Sequence, residues 1–202
     1  GRSEGTAGGA VNNTVNLVNT GAGTLEEVYG GYIGNAANAA DATGNTVNIA
    51  GGTAQNVYGS YTNGTGKTTG NIVNVGSYTD RRGNLHAYTE GAAVTGTIYG
   101  GNKADDVTGN TLNVRDVITA GQIANFEKLN FAVNRDTAGK TLLTVNGGAA
   151  TTGLDWAKLT TEITTADLPT KSYGATRVTL MDNANGIDFG TTYDRAKEVV
   201  AD

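Results

Sequence analysis

The sequence predicts an all-β solenoid, most simply a parallel β-helix, on three observations. First, a phrase of the form Asn-x-[Val/Leu]-Asn-[Ile/Leu/Val] occurs at Asn13-Thr-Val-Asn-Leu17, Asn45-Thr-Val-Asn-Ile49, Asn71-Ile-Val-Asn-Val75 and Asn110-Thr-Leu-Asn-Val114. Second, another phrase runs between the copies, at Val28-Tyr-Gly-Gly-Tyr32, Val57-Tyr-Gly-Ser-Tyr61 and Ile98-Tyr-Gly-Gly-Asn102. Third, the copies of the first phrase start 32, 26 and 39 residues apart (13 to 45, 45 to 71, 71 to 110), a solenoid period in which one supersecondary unit stacks on the next. A sandwich of hairpins is the alternative all-β arrangement, but it does not require the same phrase at equivalent positions.

Each phrase alternates with period two, the strand signature. In the first phrase Val15/Leu17, Val47/Ile49, Val73/Val75 and Leu112/Val114 are expected to face inward. Thr14/Asn16, Thr46/Asn48, Ile72/Asn74 and Thr111/Asn113 then face out. In the second, Val28, Val57 and Ile98 face in and Tyr29, Tyr58 and Tyr99 face out. The glycines after each Tyr suit a corner, where the backbone turns sharply or takes positive φ. The leading Asn13, Asn45, Asn71 and Asn110 admit two readings: a ladder of amides along the stack, or Gly-Asn as a turn dipeptide. Between the phrases lie polar loops at Gly34–Thr43, Thr62–Thr69, Ser77–Ala93 and Lys103–Thr108. The longest, Ser77–Ala93, carries Tyr78, Asp80, Arg81, Arg82, His86, Tyr88 and Glu90, and long insertions often mark the binding face of a repeat array.

Residues 1–120 read as repeat coils. From residue 121 to 202 the phrase disappears, and we expect coils of degenerate pattern plus a cap-like element of the same solenoid, since a solenoid end exposes backbone and core. Strands are expected at Lys128–Val133, Leu142–Val145 and Arg177–Met181. Leu154 to Leu159, with Ile163, spaces its apolar residues like a short helix.

Gly accounts for 31 of 202 residues, roughly twice average usage. Leu, Ile, Val and Phe make up just under about 20%, a level that suggests disorder when net charge is high. Here the net charge is only −5 and the apolar residues are concentrated in the phrases, which favours order. The chain has no Cys, which excludes disulfides and Cys-based zinc sites. It has no basic cluster to suit nucleic acid, and no apolar run long enough to span a membrane.

The strings Ala42-Thr-Gly-Asn-Thr-Val-Asn-Ile-Ala-Gly-Gly52, Asn56-Val-Tyr-Gly-Ser-Tyr61, Thr97-Ile-Tyr-Gly-Gly-Asn102 and Gly109-Asn-Thr-Leu-Asn-Val114 resemble the passenger regions of bacterial autotransporters and haemagglutinin-like surface adhesins. Ile123-Ala-Asn-Phe-Glu-Lys-Leu-Asn-Phe131 is similar to the passage such proteins carry near the passenger's C-terminal end. The resemblance implies a right-handed parallel β-helix, export across the outer membrane of a Gram-negative cell through a C-terminal β-barrel outside this segment, and display at the cell surface. It further implies an autochaperone-like role for residues 121–202. Passengers of this kind act as stalks or adhesins, with a host glycan, a matrix protein or another copy as partner.

No cofactor, metal or catalytic centre is expected. With a single His and no Gly-x-Ser-x-Gly, a Ser-His-Asp triad would have to use His86. His86 with Asp80 and Glu90 falls short of a metal-ligand set, and no Asp-x-Asp-x-Asp calcium spacing occurs. The enzyme alternative, a β-helical polysaccharide lyase or hydrolase, needs carboxylates on an exposed sheet face, where this chain places Thr, Asn and Tyr. Candidate partner-binding residues are therefore the outward Tyr29, Tyr58 and Tyr99, and Tyr78, Arg81, Arg82, His86 and Tyr88 of the long loop. The stacked tyrosines equally suit protection of a sheet face by cross-strand packing.

Overall fold

A computed structural model describes residues 1–18, 21–155, 158–166 and 178–188. Over them the chain is an all-β parallel solenoid, and no helix occurs among the described residues. One sheet, A, is built from β1 (Arg2–Ser3), β3 (Thr24–Ile33), β5 (Thr53–Thr62), β9 (Ala93–Tyr99), β11 (Ile118–Ala124), β13 (Thr141–Val145) and β15 (Thr179–Asn183), in that spatial order. The other, B, stacks β2 (Thr14–Val18), β4 (Thr46–Gly51), β6 (Ile72–Val75), β10 (Thr111–Val114), β12 (Lys128–Val133) and β14 (Thr160–Thr165). The chain alternates between the sheets, so each coil gives one strand to each, and the pairings within both sheets are parallel. A short antiparallel hairpin, β7 (Tyr78–Thr79) with β8 (Leu85–His86), interrupts the pattern.

The repeated phrases stack in register. Val15 lies beside Val47, Val47 beside Val73, and Val73 beside Leu112. Val47, Ile49, Val73, Val75, Leu112 and Val114 are buried with Val57 and Ile98 from sheet A in one continuous core. Each such side chain contributes about 1.5–3 kcal/mol on full burial. A coil needs only a few of them because its neighbours close the rest of its interior.

Both readings of the Gly-Asn pairs hold together. Gly44, Gly70 and Gly109 sit at φ +66°, +67° and +71°, where an L side chain is disfavoured. The next residue turns its amide into the stack. Asn13 Nδ2 donates to Asn45 Oδ1 (2.8 Å), Asn45 Nδ2 to Asn71 Oδ1 (3.3 Å) and Asn71 Nδ2 to Asn110 Oδ1 (3.1 Å). Each Oδ1 also accepts the backbone N–H of the preceding Asn in the ladder, at 3.0 Å. Asn45, Asn71 and Asn110 are fully buried. The glycines after the tyrosines have a different reason from the one expected. Gly30, Gly59 and Gly100 do not take positive φ. A Cβ on Gly59 would meet the Gly100 carbonyl oxygen at 2.3 Å and Asn71 Cβ at 2.8 Å, and Gly30 and Gly100 are confined in the same way. The glycine of one phrase thus leaves the space that the asparagine of the other fills.

The segments between the sheets are also more ordered than polar loops. Ala10 N donates to Asp41 O (3.1 Å) and Ala42 N to Lys67 O (2.9 Å). Gly44 N donates to Thr69 O (3.2 Å) and Gly70 N to Thr108 O (2.9 Å). These bonds make a third, strand-free side to the first coils. That side ends after Asn110, because β11 reaches β12 through Asn125, Phe126 and Glu127 alone. Asn125 takes φ +63°, and Phe126, 1% exposed, fills the interior at the closure. Glu127 now stands beside Asn110 and accepts Gly109 N–H at 2.8 Å, which stops the corner ladder.

The strand expected at Lys128–Val133 is β12, and that at Leu142–Val145 is β13, which begins at Thr141. The strand expected at Arg177–Met181 begins at Thr179, Arg177 being outside the described residues. The helical spacing from Leu154 fails at Ile163, which lies in β14 paired with Phe131; nearer its start a single turn closes, with Lys158 N and Leu159 N both donating to Asp155 O at 3.0 and 2.8 Å. The β-branched run Thr160, Thr161, Ile163, Thr164 and Thr165 favours strand, and the edge of β12 offers it a row of backbone partners. Trp156 and Ala157 lie outside the described residues.

Candidate functional site: a polar cleft beneath an inserted hairpin

The outer face of sheet B carries a second asparagine ladder. Asn48, Asn74, Asn113 and Asn130 each donate Nδ2 to the Oδ1 of the asparagine one coil earlier, at 2.8, 2.8, 2.7 and 2.9 Å. It ends where Glu162 pairs with Asn130. Thr14 and Thr46 flank its first two members.

The connection from sheet B to sheet A is Gly52 alone after β4 and residues 115–117 after β10. After β6 it is an insertion of residues 76–92 that folds back over the two preceding coils. Its return is tied by Thr89 N to Ala50 O (2.7 Å) and Ala93 N to Gly52 O (3.1 Å). Its tip is organised by Asp80. Oδ1 accepts Arg82 N and Asn84 N, both at 2.9 Å. Oδ2 accepts Asn84 Nδ2 at 3.0 Å and meets His86 Nε2 at 3.2 Å. The side-chain and backbone amides of Asn84 hold the Asp80 carboxyl well below the ordinary carboxylate range, with His86 and the Arg82 amide adding to this. Tyr78 and His86 face each other across the hairpin with ring centroids 4.7 Å apart and planes 11° from parallel. Burial, and then the Asp80 charge, push the Tyr78 hydroxyl up.

Between hairpin and sheet lies a cleft of about 640 Å³. One wall is Asn12, Asn13, Thr14, Asn16, Thr46 and Asn48, and the other is Tyr78, Thr79, Asp80, Arg81 and Arg82. Arg81 and Arg82 are exposed, and neither guanidinium has a hydrogen-bond or ion-pair partner among the described residues.

The expected binding residues thus separate into three places. Tyr78, Arg81 and Arg82 line the cleft, with His86 bracing Tyr78. Tyr88 turns inward: it packs against the core, its N–H donates to Ser77 Oγ (2.9 Å) and its hydroxyl donates to the Val117 carbonyl. It anchors the insertion. Its hydroxyl is raised by burial, with Asp116 and Glu90 adding to the effect.

Tyr29, Tyr58 and Tyr99 form a column on the outer face of sheet A. Tyr29 and Tyr58 stack at 5.2 Å and 18°, Tyr58 and Tyr99 at 4.6 Å and 4°. A second column, Tyr32 over Tyr61 at 5.6 Å, packs against the first. The Tyr29 hydroxyl donates to the Glu27 carboxylate, and Arg2 lies 5.5 Å from the centre of the Tyr32 ring. Burial is the main cause that pushes the Tyr58 hydroxyl up to about 12, with Tyr99, Glu27 and Tyr61 adding to it. The column stops where Ala124 lies beside Tyr99.

The sheet wall of the cleft was missed from sequence. The outward Thr-x-Asn pattern marks those residues as exposed, but only stacking shows which coils the insertion covers. Among the described residues no group of three or more His, Cys, Asp or Glu is placed to hold a metal ion, and no helix is long and apolar enough to cross a membrane. Compared with protein-family models, with curated proteins and with solved structures, the chain gives no match.

Proposed function

We propose that this chain is a passenger segment of an exported, surface-displayed protein of the autotransporter type, acting as a stalk and adhesive scaffold. The carrying observation is the contrast between an in-register stack of parallel coils and one insertion, residues 76–92, that breaks the stack to build a cleft lined by two exposed arginines. The stack supplies length at little cost in hydrophobic residues, and the insertion supplies a surface for a host glycan, a matrix protein or another copy. The resemblance of the GNTVNI and VYGGY strings to autotransporter passengers supports export, with a membrane barrel expected in the full-length protein. The polysaccharide lyase or hydrolase alternative needs a paired acid and base; in this cleft Asp80 is the sole lining acid among the described residues, and its oxygens are engaged by the hairpin.

The test is made in a Gram-negative host carrying the full-length gene. Protease added to intact cells should remove an epitope placed in this segment. An epitope that survives until the cells are lysed contradicts surface display.

A further inference from the structure

We propose that the cleft under the hairpin binds an anionic oligosaccharide, a short chain of sugar rings carrying carboxylate or sulfate groups. The proposal deepens the scaffold reading and rests on it only in taking the insertion to be the presented surface.

Charge favours an anionic ligand here. The whole chain is net −5, yet the charged residues lining the cleft are Arg81, Arg82 and Asp80. Asp80 keeps its charge, but its oxygens are engaged by Arg82 N, Asn84 N, Asn84 Nδ2 and His86 Nε2, and two arginines against one carboxylate leave the lining net positive in a net-negative chain. Among the described residues the guanidiniums have no hydrogen-bond or ion-pair partner. A guanidinium presents its donors as a planar fork, which matches the paired oxygens of a carboxylate or sulfate.

The opposite wall suits the hydroxyls of a sugar. Asn16 Oδ1 accepts Asn48 Nδ2, and Asn48 Oδ1 accepts Asn74 Nδ2. Each amide has two N–H groups and two lone pairs, and the ladder uses one of each per neighbour contact. What remains offers a donor beside an acceptor, with the hydroxyls of Thr14 and Thr46 alongside. Sugar hydroxyls both donate and accept, so this wall suits them better than an apolar ligand. The set repeats at the strand spacing of about 4.8 Å, so a linear chain lying along the stack meets like groups at successive coils.

Size and order fit a short oligosaccharide. About 640 Å³ lies within the usual range of small-ligand sites. The tip is braced by Asp80 and by the Tyr78–His86 stack before any ligand arrives, which lowers the ordering cost of binding. A nucleic acid is disfavoured, because two cations in a net-negative protein give little counterion release.

The 202-residue chain is titrated calorimetrically with an oligogalacturonate, with a sulfated glycosaminoglycan oligosaccharide of equal length, with neutral counterparts of both, and with inorganic sulfate. The two anionic arms distinguish carboxylate from sulfate as the recognised group. At least one anionic oligosaccharide should bind at least tenfold more tightly than its neutral counterpart, and more weakly as salt is raised. The double substitution Arg81→Ala, Arg82→Ala should cost at least tenfold, and Arg81→Lys, Arg82→Lys should restore part of it. Asn16→Ala should weaken binding a few-fold without changing the salt slope. Contacts between Tyr78 and His86 in NMR spectra verify that the hairpin persists in each variant. Equal affinity for neutral and anionic chains, or indifference to the arginine substitutions, overturns the proposal. So does inorganic sulfate bound as tightly as the oligosaccharides, which means an adventitious ion only, or tighter binding of a single-stranded nucleic acid. Absence of binding in every arm also overturns it, while the protease test on intact cells judges the scaffold reading separately.

Discussion

Replacing Asn71 with Ala should be among the costliest polar substitutions in this chain. Asn71 is fully buried. Its Oδ1 accepts the backbone N–H of Asn45 (3.0 Å) and Asn45 Nδ2 (3.3 Å), and its Nδ2 donates to Ser60 Oγ (2.8 Å) and Asn110 Oδ1 (3.1 Å). Alanine leaves the Asn45 N–H buried without a partner, at about 1–3 kcal/mol. Asn45 Nδ2 keeps the Ala10 carbonyl (2.8 Å), and Asn110 Oδ1 keeps the Asn71 N–H (3.0 Å), so those losses are partial. With the Ser60 and Asn110 bonds gone at about 1 kcal/mol each, the total is about 3–5 kcal/mol. Asn74→Ala removes two ladder bonds of 2.8 and 2.7 Å on the half-buried outer face. Water replaces them there, so the cost is about 1 kcal/mol or less. Coil arrays do not always unfold in one step, so urea titration is paired with native-state hydrogen exchange. In Asn71→Ala the Asn45 amide should exchange at least about a hundredfold faster. If the two substitutions cost the same, within about 1 kcal/mol, the corner ladder does not hold the coils as argued.

Gly59→Ala should destabilise by about 2–3 kcal/mol or more, as overpacking against Gly100 O and Asn71 Cβ requires, and Gly83→Ala by about 1–2 kcal/mol, because only its φ of +84° is at issue; thermal melts compare them. Asp80 has a depressed folded pKa, so its contribution is present above the unfolded value of about 3.9 and is lost as pH falls through the lower folded one. Contacts between Tyr78 and His86, followed by NMR, should therefore survive at pH 5 and fade only in stronger acid, and Asp80→Asn should abolish that acid transition. Tyr58 has a raised folded pKa, so its contribution is complete below the unfolded value of about 10 and is lost as pH rises through about 12; in an alkaline absorbance titration Tyr58→Phe should remove a late phase.

Much of the fold was legible because parallel stacking makes local sequence repeat. Val47 and Val73 are buried side by side since each stands at the same place in the same phrase, and period two then assigns Thr46 and Asn48 outward. What repeats in a row can be read from a row. The role of Gly59 could not, because its need arises from Gly100 and Asn71, contributed by other coils. The third side was hidden for a related reason: the segments around Ala10, Ala42 and Thr69 share backbone bonds but no common pattern of side chains. The helical spacing around Leu154 misled because a few apolar residues fit either period, and the edge of β12 decided Ile163 in favour of strand. Of the candidate site, the insertion and its arginines were visible as a long charged interruption. The wall they face was not, since the direction in which an insertion folds is set by tertiary contacts such as Thr89 N to Ala50 O and the Tyr88 anchor.

Spin labels placed on a chain without native Cys provide the most direct test of in-register coils. Asn16, Asn48, Asn74, Asn113 and Asn130 are 32, 26, 39 and 17 residues apart in sequence, yet each step crosses one strand spacing. Glu162 lies one step beyond Asn130. With a spacing of about 4.8 Å, label pairs at 16/113, 16/130 and 16/162 should lie about 14, 19 and 24 Å apart, rising evenly with coil number. Distances that follow sequence separation, or that alternate short and long as hairpin pairing would produce, contradict the solenoid.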